Sequence, residues 1–167
     1  VQKISMILME YEPNGDLHDL IANHRFPLDD KLARTYFQQL VHALEFLHSN
    51  GIAHLDLKPE NILLDRHFNL KLIDFELAYF DGDEEIVSMG TQYYRPPEII
   101  NQICRNPYAA DIFSLGIILF ILKTGGLLPQ TEDIPFRNVN LWDLMQTNPK
   151  RYFEIQAENL NETPDFF

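Results

Sequence analysis

Apolar residues recur at helical spacing in two long stretches of the chain. The first predicted helix begins after Asp29 or Asp30, either of which can cap it, and ends at Asn50-Gly51. The second predicted helix runs from about Tyr108 to Thr124, where Gly125-Gly126 closes it. The inward face of the first helix carries apolar residues spaced by three or four positions, namely Phe37, Leu40, Leu44 and Leu47.

Shorter apolar runs before the second helix predict strands. Residues 4–9 are predicted as a buried strand, which the turn residues 13–15 break before a short helix at 16–22. Residues 61–64 and 70–73 predict a small antiparallel pair.

The remaining segments carry weaker patterns. Residues 74–98 have no hydrophobic periodicity, so we predict a loop there. A short helix is predicted near residues 141–147, and residues 157–165 form a polar, acidic tail with no predicted element.

A polar loop at residues 53–60, and the residues just after it, carry the candidate chemistry. Asp56 can orient a substrate hydroxyl and accept its proton, and Lys58 can neutralise charge on a phosphoryl group in transfer. Asn61 and Asp74 can supply oxygen ligands to Mg²⁺. These residue types in this order suit phosphoryl transfer from MgATP, in which catalysis rests on the placement of charges. Taken singly, each could be an ordinary turn or surface residue.

Four motifs in sequence order resemble the protein kinase family. Residues 54–61 with Asp74-Phe75 resemble its catalytic loop and metal-binding motif, and residues 9–12 resemble its hinge. Residues 90–98 resemble the end of an activation segment, and residues 111–116 the buried helix beneath the catalytic loop. The resemblance covers nearly the whole chain. It implies a mainly α fold, the large C-terminal lobe of a protein kinase, with short β-strands at the hinge and catalytic loop.

The ending of the catalytic loop, Lys58-Pro59-Glu60-Asn61, is similar to that of serine/threonine kinases. Thr91 matches a threonine that contacts the catalytic-loop aspartate and lysine in that class. The sequence of the helices and loops loosely resembles that of the calmodulin-dependent and AMP-activated kinases. The resemblance implies transfer of the gamma-phosphoryl group of ATP, with Mg²⁺, to a serine or threonine hydroxyl of a protein substrate.

The resemblance also implies where ATP would bind. Glu10 and Glu12 match hinge positions whose backbone groups bond the purine, and Met9 matches the gatekeeper behind it. Leu63 matches the apolar floor under the adenine ring. Asp16 matches an acidic residue that bonds the ribose hydroxyls, although a helix-start aspartate is an alternative interpretation. Lys58 would hold the transferred phosphate.

Three residues match the internal scaffold of the family. His54 and Phe75 would stack in a hydrophobic column, and Asp111 would bond the catalytic-loop backbone from below. Glu98 matches a carboxylate that normally pairs with a later arginine. Without that arginine, a buried Glu98 would cost on the order of 3–5 kcal/mol.

The chain departs from the family pattern at three positions. Leu55 replaces an arginine that grips a phosphate on the activation segment, so we expect activity that does not depend on phosphorylation of Ser88 or Thr91. Glu76 replaces a glycine, which puts ATP affinity in question. Pro96 replaces an alanine. The acidic residues of the segment could mimic a phosphate or form a solvated loop: Asp81, Asp83, Glu84 and Glu85.

We expect residues 1–167 to be a partial kinase domain, with the hinge and most of the C-lobe. The N-lobe, with its glycine-rich loop and nucleotide-pairing lysine, and the last C-lobe helices are absent from the sequence. The missing N-lobe would then be a partner in activity, and this chain alone would be inactive. Two rival hypotheses stay open: a pseudokinase that serves as a binding or scaffold module, and an interaction protein that is naturally only a C-lobe.

Composition narrows the class of partner. A formal net charge of −12 argues against nucleic acid or an anionic membrane as the main partner. Cys104 is the only cysteine, so no intrachain disulfide can form, which suits a cytoplasmic protein that could also be present in the nucleus. Residues 112–122 are strongly apolar but too short to span a membrane, which favours a buried core helix.

Overall fold

The computed structural model describes residues 6–23, 28–86, 90–126, 144, 147, 148, 150–152 and 154. The chain divides into two compact units, Val1–Leu127 and Leu128–Phe167, which are described separately. The functional residues predicted above all belong to the first unit.

Four helices are found in the described part of the first unit: α1 (Leu17–Asn23), α2 (Asp30–Ser49), α3 (Pro97–Ile100) and α4 (Pro107–Thr124). Asp29 caps α2, because its side chain accepts a hydrogen bond of 2.9 Å from the N–H of Leu32. Asn106 caps α4 in the same way, and Gly125, at a φ of 75°, ends it in the left-handed conformation. Both predicted long helices are therefore confirmed.

The strands are short and form two separate pairs. Strands β2 (Ile62–Leu64) and β3 (Leu70–Leu72) are antiparallel, with Leu63 opposite Lys71, as predicted. Strands β1 (Ile52–Ala53) and β4 (Tyr79–Phe80) are also antiparallel. Strand β4 lies within residues 74–98, where the sequence predicted only a loop. A strand of two residues is too short to produce a periodic pattern.

The core of this unit forms where α2 packs against α4. The inward face of α2 is confirmed at Leu40, Leu44 and Leu47, all of which are buried, whereas Phe37 is only half-buried. Ala33 and Tyr36 complete the buried stripe at helical spacing. The stripe is therefore centred one residue earlier than the sequence predicted at its N-terminal end.

The predicted strand at residues 4–9 is wrong where the structure describes it. Residues 6–9 have no strand assignment, and their side chains are exposed, from 67% for Met9 to 95% for Leu8. No strand in the described part of the chain pairs with them, so their backbone lacks the ladder that a buried strand requires. An apolar run alone could not reveal whether a partner strand was present.

Helix α4 is a core helix of this unit. Among the described residues it is the one helix that is long and apolar enough to cross a membrane, and 50% of that window is buried inside the fold. It also carries Asp111, whose side chain is fully buried and hydrogen-bonded to the loop above it. These contacts favour the interpretation as a core helix.

In the second unit, the described residues include helical positions 144, 147, 150–152 and 154. The N–H of Asn148 donates to the carbonyl of Leu144 at 2.8 Å, and that of Tyr152 to Asn148 at 3.1 Å. The predicted helix at 141–147 lies largely outside the described residues, and the predicted tail at 157–165 lies wholly outside them.

Candidate active site

A buried carboxylate on α4 supports the loop that carries the candidate chemistry. Asp111 accepts hydrogen bonds of 2.8 Å from the backbone N–H groups of His54 and Leu55. The Nε2 atom of His48, on α2, also lies 2.8 Å from Asp111. The predicted role of Asp111 beneath the loop is confirmed. His48 was not predicted, because its contact with Asp111 depends on how α2 and α4 pack.

His54 connects the same loop to the residues after β3. Its Nδ1 accepts from the N–H of Asp56 at 3.3 Å, and its Nε2 lies 2.9 Å from the carbonyl of Ile73. A neutral imidazole with its proton on Nε2 satisfies both bonds. The His54 ring also contacts the Phe75 ring, with centroids 5.0 Å apart, which confirms the predicted contact between these two rings.

Asp56 lies at the centre of a polar network. Its Oδ2 accepts a bond of 2.8 Å from Lys58 Nζ and one of 3.1 Å from Asn61 Nδ2, and its Oδ1 accepts one of 2.6 Å from the Thr91 hydroxyl. Lys58 Nζ also donates to the Thr91 hydroxyl oxygen at 2.8 Å. The contact predicted for Thr91 is therefore confirmed. The structure brings Asp56, Lys58 and Asn61 to one place.

The pKa of Asp56 reflects two opposing influences. Burial of the carboxyl group, which is 7% exposed, acts to raise its pKa. The hydrogen bonds from Lys58 and Thr91, the charge of Lys58 and the bond from Asn61 outweigh burial, so the pKa of Asp56 lies below its ordinary value. The network therefore keeps Asp56 ionised at neutral pH, the state in which it can accept a proton.

Asn61 and Asp74 offer oxygen atoms of the type that Mg²⁺ prefers. Asn61 Nδ2 donates to the Asp56 carbonyl at 2.9 Å, which leaves its Oδ1 on the opposite side of the carboxamide. The N–H of Ile73 donates to the Asn61 carbonyl at 3.0 Å, so the next residue, Asp74, lies beside Asn61. Asp74 is exposed, and its φ is 64°. The donor set fits a hard divalent cation.

Several of the residues predicted around the adenine lie along the β2–β3 hairpin. Asp16 forms an antiparallel bridge with Leu63, which is half-buried. The Asp16 carboxylate accepts a bond of 2.7 Å from the N–H of Asp19, which is the contact expected of a helix-start aspartate. Met9 is 67% exposed.

Two glutamates of the predicted hinge share one cation. Lys71 Nζ lies 2.6 Å from Glu10 and also forms an ion pair with Glu12. The Glu10 side chain is 70% exposed, whereas that of Glu12 is only 6% exposed. Sequence analysis did not identify Lys71 as a functional residue. Its position in the middle of a short strand gave no sign of partners about sixty residues earlier in the chain.

Leu55 occupies an apolar environment where the family pattern has an arginine. It is 9% exposed and belongs to a cluster with Ala53, Ile99 and Ala110. Ile86, at the end of residues 76–86, which we call the acidic segment, also packs against this cluster. Apolar contact therefore connects the catalytic loop to this segment.

An open cavity of about 460 Å³ lies between Leu55 and the acidic segment. Its lining includes four carboxylate side chains, Glu76, Asp83, Glu84 and Glu85. A phosphate group there would meet like charges, because no lysine or arginine lines the cavity among the described residues.

The last predicted carboxylate, Glu98, is only half-buried. The cost predicted for a fully buried carboxylate without its arginine therefore does not apply in full. Partial exposure lets water solvate the charge.

The chain is similar in sequence to known proteins. A family model described as "Protein kinase domain" matches residues 2–163. The probable serine/threonine-protein kinase KCC4 of Saccharomyces cerevisiae is 37% identical over 89% of this chain and 14% of its own length. CBL-interacting serine/threonine-protein kinase 15 of Arabidopsis thaliana is 40% identical over 82% of this chain and 32% of its own. The chain thus spans less than a third of the length of these relatives.

Proposed function

The chain belongs to the protein kinase domain family, and from this membership we propose that it is part of an active serine/threonine protein kinase. The observation that carries the proposal is the network in which Lys58, Asn61 and Thr91 all bond the Asp56 carboxylate. The reaction would transfer the gamma-phosphoryl group of ATP to a serine or threonine hydroxyl of a protein substrate.

Each residue of the network has a role in this proposal. Asp56 accepts a hydrogen bond from the substrate hydroxyl and takes its proton as the oxygen attacks phosphorus. Lys58, which bonds both Asp56 and Thr91, places a positive charge beside the transferring phosphoryl group. Thr91 fixes the other carboxylate oxygen of Asp56, so the unbound lone pairs of that group have a defined direction.

Asn61 and Asp74 would hold Mg²⁺ through their side-chain oxygens. When bound, the cation neutralises phosphate charge and orients the leaving group. The bond from Asn61 Nδ2 to the Asp56 carbonyl fixes the carboxamide, so the chain itself orients one of the two proposed ligands.

The nucleotide would lie along the β2–β3 hairpin. Backbone groups of Glu10 and Glu12 would bond the purine, Leu63 would lie beneath it, and Met9 would stand behind it. Asp16, held beside Leu63 by the bridge between them, would bond the ribose hydroxyls. We assign residues 1–167 to the hinge and most of the large lobe, with a small lobe of the same domain completing the ATP cleft in the full-length protein.

A pseudokinase is the second candidate, and two observations favour it. Leu55 and Glu76 depart from the family pattern, and both line the cavity whose four carboxylates, Glu76 among them, would oppose a phosphate. The intact network at Asp56 supports the active enzyme over this alternative, because a scaffold would need no oriented base.

We also propose that the protein is located in the cytoplasm, in keeping with its single cysteine.

The test is phosphate transfer from radiolabelled MgATP by the full-length protein to a serine/threonine peptide library, beside an Asp56→Asn variant. We expect transfer by the wild type and a loss of about 10²–10⁴-fold in the variant, the usual contribution of a general base. Both proteins must show the same melting temperature. A folded wild type whose transfer equals that of the variant would overturn the proposal in favour of the pseudokinase.

Regulation by phosphate forms a separate hypothesis. Leu55 cannot bond a phosphate, and Thr91 is already bonded to Asp56 and Lys58. We expect that phosphorylation of Ser88, which lies outside the described residues, leaves the transfer rate within about twofold, whereas phosphorylation of Thr91 lowers it by disrupting the network. Large activation by a phosphate at either residue would contradict this hypothesis.

A further inference from the structure

Lys71 connects two parts of the structure that would both contact the purine according to the proposed function. It lies on β3, directly opposite Leu63 of β2, and its Nζ bonds the carboxylates of Glu10 and Glu12. Leu63 is the proposed floor beneath the adenine ring, and the backbone of Glu10 and Glu12 is the proposed purine-binding edge. One side chain therefore connects the proposed floor with the proposed edge.

In the described part of the chain, residues 14–16 are attached to the β2–β3 hairpin by hydrogen bonds and not by ion pairs. The N–H of Leu64 donates to the Gly15 carbonyl at 2.9 Å, and Asn14 Nδ2 donates to the Asp65 carbonyl at 2.6 Å. These bonds fix residues 14–16, which lie after the proposed purine-binding edge. Within the described residues, Glu10 and Glu12 both form their ion pairs with Lys71, and residues 6–9 before them are exposed.

The two ion pairs differ in their environment. Glu10 is 70% exposed, so water and salt screen its attraction to Lys71. The Glu12 side chain is 6% exposed, and a carboxylate this well shielded requires a cation beside it. The two carboxylates hold the pKa of Lys71 above its ordinary value, so the cation persists throughout the neutral range. Glu12 is therefore the partner on which the attachment depends most.

We propose that Lys71 is a positioning residue for the nucleotide, which holds the backbone of residues 10–12 at a fixed distance from Leu63 through ion pairs with Glu10 and Glu12. This inference rests on the proposed function, because it assumes that the purine binds between these residues. It assigns no contact between Lys71 and the substrate. Loss of the cation should weaken binding of the purine and leave the phosphoryl-transfer step unchanged.

The experiment compares wild type, Lys71→Met and Lys71→Arg in the full-length protein. The KM for ATP and the inhibition constant of adenosine, which carries no phosphate, are measured together with kcat. We expect Lys71→Met to raise both constants by about three- to tenfold with kcat nearly unchanged, and Lys71→Arg to restore them, since arginine keeps the charge. Lys31→Met, on the exposed surface of α2, is the matched control and should change neither constant.

The outcomes separate this inference from the proposed function. If the wild type transfers phosphate and Lys71→Met leaves both constants unchanged, the inference is overturned and the function stands. If the wild type transfers no phosphate but binds adenosine, and Lys71→Met weakens that binding, the function fails and the inference stands. A wild type that binds neither nucleotide nor adenosine overturns both. Should Lys71→Met fold poorly, Glu10→Gln and Glu12→Gln replace it, and the inference requires weaker adenosine binding in Glu12→Gln than in Glu10→Gln.

Discussion

Gly90 lies so close to Leu55 that a Cβ atom added to Gly90 would stand 2.8 Å from the Leu55 carbonyl oxygen. Real Cβ atoms essentially never approach a backbone oxygen this closely. Gly90 also has a φ of 49°, in the left-handed region that favours glycine. The close approach brings the next residue, Thr91, to Asp56, so the glycine is a requirement of the site and not only of the turn.

We therefore predict that Gly90→Ala lowers kcat/KM for peptide phosphorylation by about tenfold or more. The added methyl must move the segment away from Leu55, and displacements near 1 Å at a catalytic group have effects of this size. Steady-state kinetics at saturating ATP would measure it. Gly116→Ala, on an exposed face of α4 with open space around the new methyl, is the control and should retain full activity. Equal activity in both variants would show that the close approach does not matter.

The bonds around Asp56 predict a change in pH dependence. The Thr91 hydroxyl helps to hold the pKa of Asp56 below its ordinary value, although burial acts in the opposite direction. Thr91→Val removes that bond, so the folded-state pKa of Asp56 should rise. A base with a raised pKa becomes protonated at a higher pH, and activity should therefore be lost earlier as the pH falls.

The measurement is kcat/KM against pH for wild type, Thr91→Val and Thr91→Ser. We expect the acidic limb of Thr91→Val to shift to higher pH and that of Thr91→Ser to stay near the wild type, because serine keeps the hydroxyl. Superimposable profiles for all three proteins would be inconsistent with the role assigned to Thr91.

The lowered pKa of Asp56 also affects the stability of the fold. Asp56 stabilises the fold above its ordinary pKa, and this contribution is lost as the pH falls through the folded-state pKa.

The sequence predicted the centre of this site because its geometry is local. Asp56, Lys58 and Asn61 lie within six positions, and the short helical turn Pro59–Asn61 brings them together. The long helices were also predictable, since their caps and apolar stripes are encoded by neighbouring residues.

Contacts between distant segments could not be predicted in the same way. Lys71 meets Glu10 only because the hairpin register places it beside the earlier segment. Strand β4 depends on its pairing with β1. The strand expected at residues 4–9 has no partner over residues 6–9, the part of it that the structure describes. Each of these features requires knowledge of which segments become neighbours, and hydrophobic pattern alone does not carry it.

The position of Asp111 predicts a large loss of stability on substitution. Asp111→Ala would leave the buried N–H groups of His54 and Leu55 without their acceptor, and would remove the partner of His48. We expect the free energy of unfolding to fall by about 3–5 kcal/mol, as when one member of a buried charged network is removed. Urea unfolding of the full-length protein would measure it. Asp30→Ala, on the exposed first turn of α2, should change stability far less, and similar losses in both variants would refute the prediction.

Leu55 predicts a second stability effect, which arises from packing alone. Its side chain is 9% exposed among Ala53, Ile99 and Ala110, so Leu55→Ala should leave a cavity and cost about 2–5 kcal/mol. Leu55→Met keeps the volume and should cost less than about 1.5 kcal/mol. Leu77→Ala is the matched control: Leu77 lines the same open cavity but is 40% exposed, so its truncation removes fewer contacts. If chemical unfolding gave the same loss for Leu55→Ala and Leu77→Ala, the apolar cluster could not be what holds the catalytic loop to the acidic segment.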